Sequence, residues 1–208
     1  MNGRSMEPAI KGVIFDFGGV IHSVDTGIFF RSLRERTDKT LEEMAALVAG
    51  SGLPRRYESG VISSREFFSG MSDLCGLSMS EEEFLAAFVA IFAPIESTIR
   101  LIRGLSGSYR LGLLSNTNEW HFDYHIRRVD VFRLFDAVTL SYEVKAMKPA
   151  EGIYRDSLEK IGLRPQECVF IDDLEENVAG ATKVNLHAIR YTGYERLVSS
   201  LADLGVVA

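Results

Sequence analysis

Cysteine is scarce: Cys75 and Cys168 are the only two, far apart and without metal-type spacing to the four histidines. That argues against both a disulfide framework and a zinc site, and it fits a reducing cytoplasm. Long apolar runs are missing too, since nowhere do 18 such residues follow one another, so no membrane span is expected. The start, MNGRSMEPAI, carries a positive charge but no apolar stretch long enough for a secretion signal. Cations are outnumbered, with 23 Lys and Arg against 29 Asp and Glu, for a formal charge of −6. No general attraction to nucleic acid or anionic membrane follows, although a local basic pocket can still hold a small anion. Repeats and low-complexity tracts are also absent. These absences leave a soluble, cytoplasmic protein with a small-molecule partner, expected as a monomer or weak homodimer.

What is present is ordinary globular material, 46% hydrophobic and 25% charged over 208 residues. A chain of this length buries roughly 70% of its unfolded surface. Apolar, β-branched segments occur at 11–16 (KGVIFD), 109–115 (YRLGLLS), 137–141 (AVTLS), 167–172 (ECVFID) and 186–190 (LHAIR). The later spacings each leave room for a crossover helix, which indicates an α/β fold with a Rossmann-like parallel-sheet core. Between 23 and 95 no strand pattern stands out. Helix starts do, because Thr40 with Glu43, Ser63 with Glu66 and Ser80 with Glu83 have capping-box spacing. IFFRSLRER at 28–36 allows a fourth helix, with Gly50, Gly52, Pro54, Gly60, Gly70 and Gly76 as the turns. The expected division is a core of 9–22 and 93–208 with an inserted helical domain at 23–92.

In an open parallel sheet, ligands sit beyond the carboxyl ends of the strands. Those ends here carry Asp16, then Ser115-Asn116-Thr117, then Lys148-Pro149, then Asp172-Asp173. Three converging carboxylates repel one another unless a cation lies between them, and magnesium prefers such hard oxygen ligands together with a substrate phosphate. A carboxylate beside the metal can also attack phosphorus, dividing one difficult displacement into two easier ones. Lys148, the Ser115 hydroxyl and the backbone N–H groups of the Gly18-Gly19 and Ser115 loops can hold the transferring group.

FDFGGV, LLSNTN, KPAEGIY and VFIDDLEEN, in that order, resemble the four motifs of the haloacid dehalogenase-like hydrolase superfamily, and the resemblance spans the whole chain. It implies that Asp16 is the nucleophile and a metal ligand and that Ser115, with Asn116 beside it, binds phosphate. Lys148 is then the third-motif lysine, and Asp172 and Asp173 are the acidic pair for Mg2+. Which of that pair ligates directly is left open. Asn177, one turn beyond Asp173, is expected to fix the same loop. The resemblance also makes 23–92 the helical cap.

One position departs from the pattern. Phosphatases of the family usually carry a second aspartate two residues after the nucleophile, as general acid, where this chain has Gly18. Such an acid is worth about 10²- to 10⁴-fold. The family uses this residue's backbone carbonyl for the metal, and Gly18 keeps a carbonyl. A sugar-phosphate branch that includes glucose-1-phosphate phosphatases shares the glycine. His22 and Asp25 are candidate substitute acids, and His121 or His125, in an otherwise packing-type aromatic cluster, candidate substrate contacts. Arg55, Arg56 and Tyr57 read as solvated surface, with contact of Arg55 or Arg56 to an anionic substrate as the alternative, and Lys145 reads as surface too. The expected function is a magnesium-dependent phosphatase for a small phosphorylated metabolite, a sugar phosphate among the candidates. The alternatives are a metal-independent 2-haloacid dehalogenase, which the acidic pair disfavours, and a non-catalytic phosphate-ligand-binding protein.

Overall fold

The computed structural model describes residues 9–207, so the reading of the first residues as lacking a secretion signal falls largely outside them. From β1 (Gly12–Phe15) the chain passes through a glycine turn to β2 (His22–Val24) and then through α1 (Thr26–Leu33), α2 (Leu41–Ser51), α3 (Leu53–Glu58), α4 (Ser64–Cys75) and α5 (Glu81–Val89). It returns in β3 (Phe92–Pro94) and continues with α6 (Glu96–Leu105), β4 (Arg110–Ser115), α7 (Glu119–Tyr124), β5 (Ala137–Leu140), α8 (Ser141–Val144) and α9 (Glu151–Ile161). The last elements are β6 (Cys168–Asp172), α10 (Glu175–Lys183), β7 (His187–Arg190) and α11 (Tyr194–Asp203). Among the described residues no helix is long and apolar enough to cross a membrane.

Five strands form one parallel sheet in the order β5-β4-β1-β6-β7. Both faces of this sheet are covered, which is why its central strands are mainly apolar without alternation. Val13, Phe15, Leu111, Leu113, Val169 and Ile171 enter the core on one face. Ile14, Leu114, Cys168 and Phe170 enter the core on the other. Phe15 is level with Leu113 on one side and Ile171 on the other. Asp16, Ser115 and Asp172 therefore emerge along one edge.

The helical segment has its own core, in which Phe29, Leu33, Met44, Phe67 and Phe84 are buried, and Trp120 from α7 inserts into it. The three capping boxes form at Thr40, Ser63 and Ser80, each side chain accepting from the amide three residues on. Several expectations are corrected. The 23–95 region does contain strand, because β2 and β3 pair antiparallel, with His22 opposite Pro94 and Val24 opposite Phe92. A fifth helix, α3, occupies the supposed turn at Pro54. Gly52, at φ 68°, ends α2 in the left-handed conformation, and Pro54 sits in the first turn of α3, where its missing N–H costs nothing. Gly50 and Gly70 lie inside helices rather than at turns. Tyr57 is buried, not solvated, stacking on Phe67 with ring centroids 4.5 Å apart.

Candidate active site

Lys148 is the hub of the sheet's carboxyl edge. Its side chain is 1% exposed, and its ammonium lies 2.8 Å from Asp16 Oδ1 and 2.6 Å from Asp172 Oδ2, donating also to the Leu114 carbonyl. Asn116 fixes the lysine's backbone from both sides, since its Oδ1 accepts the Lys148 amide at 2.8 Å and its Nδ2 donates to the Lys148 carbonyl at 3.1 Å. The amide expected to help bind phosphate is thus engaged in holding the lysine. Ser115 is buried at the end of β4 beside it. The Thr117 amide donates to the Ser141 hydroxyl, so the loops after β4 and β5 are tied together.

The acidic pair separates into two roles. Asp172 is fully buried, and both its oxygens are taken: Oδ1 accepts the Leu174 amide and Asn177 Nδ2, while Oδ2 accepts Lys148 and again Asn177. Asn177 thus fixes the loop, as its spacing suggested. Asp173 is only half-buried and packs over the glycine turn, so closely that a Cβ on Gly19 would lie 2.3 Å from its Oδ2. Gly19 itself has φ 74°, a conformation that L side chains rarely adopt.

Asp16, Asp172 and Asp173 each offer an oxygen within 4.8 Å of the others. Burial raises the pKa of Asp16, opposed by Lys148 and reinforced by the charge of Asp172. Burial, then Asp172, also raises Asp173. One ammonium does not neutralise three carboxylates in a poorly solvated edge, which is the condition a divalent cation relieves. The donor set is all oxygen, as Mg2+ requires. Among the three, Asp16 and Asp173 retain free lone pairs, whereas Asp172 does not.

The supposed substitute acids are otherwise occupied. His22 stacks on Phe17 at 4.9 Å, and its Nδ1 is 3.1 Å from His125 Nε2. Burial, with His125 adding to it, lowers its pKa to about 4, so it is neutral at physiological pH. Asp25 caps α1 by accepting the Gly27 amide and pairs with Arg31 at the surface. His121 stacks on Phe88 at 4.1 Å and faces that residue's carbonyl through Nε2. Arg55 and Arg56 are exposed, as expected, and exposed Lys145 donates to the Gly60 carbonyl, pinning the turn after α3 to the α8 loop.

A doubly covered parallel sheet with three acids and Lys148 gathered at its carboxyl edge puts the chain in the α/β class, with the site where such sheets bind their ligands. Residues 10–185 match the haloacid dehalogenase-like hydrolase family, and the chain belongs to it. D-ribitol-5-phosphate phosphatase from Bacteroides thetaiotaomicron is 29% identical over 180 residues, covering 81% of this chain and 85% of that one. A family enzyme from the same organism, crystallised with magnesium and inorganic phosphate, superposes with a TM-score of 0.76 at 26% identity, over 88% of this chain and 94% of its own. A predicted HAD-like hydrolase from Porphyromonas gingivalis gives a TM-score of 0.80 at 26% identity, over 97% of this chain and all of that one.

Proposed function

We propose that the protein is a magnesium-dependent phosphomonoesterase acting on a small phosphorylated metabolite. The observation that carries this reading is the meeting of Asp16, Asp172, Asp173 and Lys148 at the ends of β1 and β6. It is supported by the relatives, one named for ribitol 5-phosphate and one crystallised with magnesium and phosphate. Another, from Methanothermobacter thermautotrophicus, is named for glyceraldehyde 3-phosphate and is 30% identical over 48% of this chain. These names support sugar and polyol phosphates as candidate substrates.

In this reading Asp16 attacks phosphorus to form an aspartyl-phosphate, which water then cleaves. Lys148 holds Asp16 in place and meets the negative charge of the phosphoryl oxygens, with the Ser115 hydroxyl and the Gly18 backbone amide as further donors; the Gly19 amide, expected from the sequence to join them, instead donates to the His22 carbonyl at 2.7 Å. Asp16, Asp173 and the Gly18 carbonyl would hold magnesium, which supplies charge neutralisation at the transferring group. Asp172 anchors Lys148 and the β6 loop. Residues 23–92 act as a cap over a core of 9–22 and 93–208, excluding bulk water when closed. The two cysteines, free and buried, suit a cytoplasmic location.

Hydrolysis of p-nitrophenyl phosphate with and without magnesium, for the parent protein and for Asp16→Asn, tests this. Metal-dependent turnover that disappears in the substitution is expected. Turnover that persists in Asp16→Asn, or that ignores chelation, refutes the mechanism.

A further inference from the structure

A cavity of about 260 Å³ lies among α1, α2, α3, α4 and α5, and it is closed on one side by α7. Its walls are largely the side chains of Phe29, Val48, Met71, Phe88 and Ile91. Asn118 and His121 bring it to the loop that follows Ser115, and Thr26 brings it to the chain leaving β2. It therefore abuts both segments that run out of the candidate active site.

Most polar side chains of the wall already have protein partners. Asn118 accepts the His121 amide through Oδ1, and its Nδ2 is 3.0 Å from His121 Nδ1. His121 Nε2 is 3.2 Å from the Phe88 carbonyl, so both of its ring nitrogens are paired. The Tyr57 hydroxyl is 2.7 Å from the Ser64 hydroxyl and accepts the Trp120 amide. What remains for a ligand is the second N–H of Asn118, the Glu58 carboxyl and the hydroxyl of exposed Thr26, three polar groups in a wall that is otherwise apolar. A polyol or sugar has several hydroxyls, and each one buried without a partner weakens binding by roughly tenfold or more. An apolar group has no hydroxyl to leave unpaired, and its one cost is to keep water from the Glu58 carboxyl, which burial already holds toward its neutral form. The cavity also falls just under the ~300–1,000 Å³ range of drug-sized sites, which limits it to one small group.

We propose that the cavity receives the non-phosphate part of the substrate, and that the substrate is the phosphate monoester of a small, predominantly apolar alcohol. This rests on the phosphomonoesterase reading above and narrows its substrate class.

The test compares primary-alcohol phosphates, whose leaving oxygens are chemically alike: hexyl and benzyl phosphate against ribitol 5-phosphate and glucose 6-phosphate, with magnesium present. The expected kcat/KM is at least tenfold higher for the apolar pair. Ala49→Trp, at an exposed position on the cavity rim, should lower the ratio of hexyl phosphate to acetyl phosphate kcat/KM about tenfold. Ala45→Phe, also exposed and on the rim, provides a second variant with the same expectation. Equal or faster turnover of the polyol esters, or an unchanged ratio in both variants, overturns the proposal while leaving the phosphatase intact. Failure to cleave any ester refutes the phosphatase reading instead. In that event calorimetric titration with hexylphosphonate decides the cavity: binding that Ala49→Trp weakens supports it, and no binding overturns it.

Discussion

Glu58 stands in the cavity wall, and no side chain among the described residues hydrogen-bonds its carboxyl. Burial raises its pKa from 4.5 to about 7, with Arg55 pulling weakly the other way. The folded protein therefore holds this proton more tightly than the unfolded chain does. The resulting stability is fully present below the unfolded pKa and is lost as pH rises through the folded one. A rise of this size makes ionising Glu58 cost the fold at most ~3–4 kcal/mol, and water reaching the cavity reduces that to about 1–2 kcal/mol. Glu58→Gln removes the charge while keeping the shape. Urea unfolding at pH 5 and pH 8.5, at fixed magnesium, measures the consequence. Relative to the parent, the substitution should gain ~1–2 kcal/mol more at pH 8.5 than at pH 5. Any fixed difference between the two side chains cancels in that comparison. An equal effect at both pH values, or a larger gain at pH 5, would show that Glu58 ionises in the folded protein as easily as in water.

Three further outcomes follow from the acidic edge. Asp173→Asn should weaken magnesium activation at least tenfold with little loss of stability, whereas Asp172→Asn should destabilise by about 2–3 kcal/mol, because it strips Lys148 of one of two buried partners; magnesium titration of activity and thermal unfolding separate them. Gly19→Ala places a Cβ against Asp173 at a left-handed residue and should cut turnover at least about tenfold through metal affinity, so restoration by excess magnesium is the readout. Asn116→Ala frees the lysine's backbone and should lower kcat on the order of tenfold while leaving the magnesium requirement in place, a split that steady-state kinetics resolves.

The sheet was readable because β1, β4 and β6 are short, mainly apolar runs that each stop at a residue with chemistry of its own, as VFI stops at Asp172. The capping boxes were readable because their partners are three residues apart. β2 and β3 escaped notice because three residues, HSV or FAP, carry no alternation to detect, and Pro94 argues against a strand except at an edge. α3 was hidden because Gly52 and Pro54 signal a break, and here the break separates two helices rather than ending helical structure. Site chemistry follows the same division. The acids and the lysine could be named from strand ends, but the hold of Asn116 on Lys148 spans 32 residues, and only the folded chain brings the two together. Asp172 and Asp173 are neighbours of one type, and their separate tasks depend on which oxygens Asn177 and Lys148 occupy. The cavity draws its walls from six helices, so no local pattern could have announced it.

The antiparallel pair of β2 and β3 places the outgoing chain beside the returning one, Ser23 directly opposite Ala93. Strands so paired lie only about 5 Å apart, so the covalent connection of everything between them is a single narrow stalk. Lengthening, shortening or exchanging that material leaves the spacing of the five-stranded sheet untouched. Under the proposed division into core and cap, catalytic chemistry and substrate choice can be inherited separately, and the same acidic edge can acquire a new preference without its own residues changing.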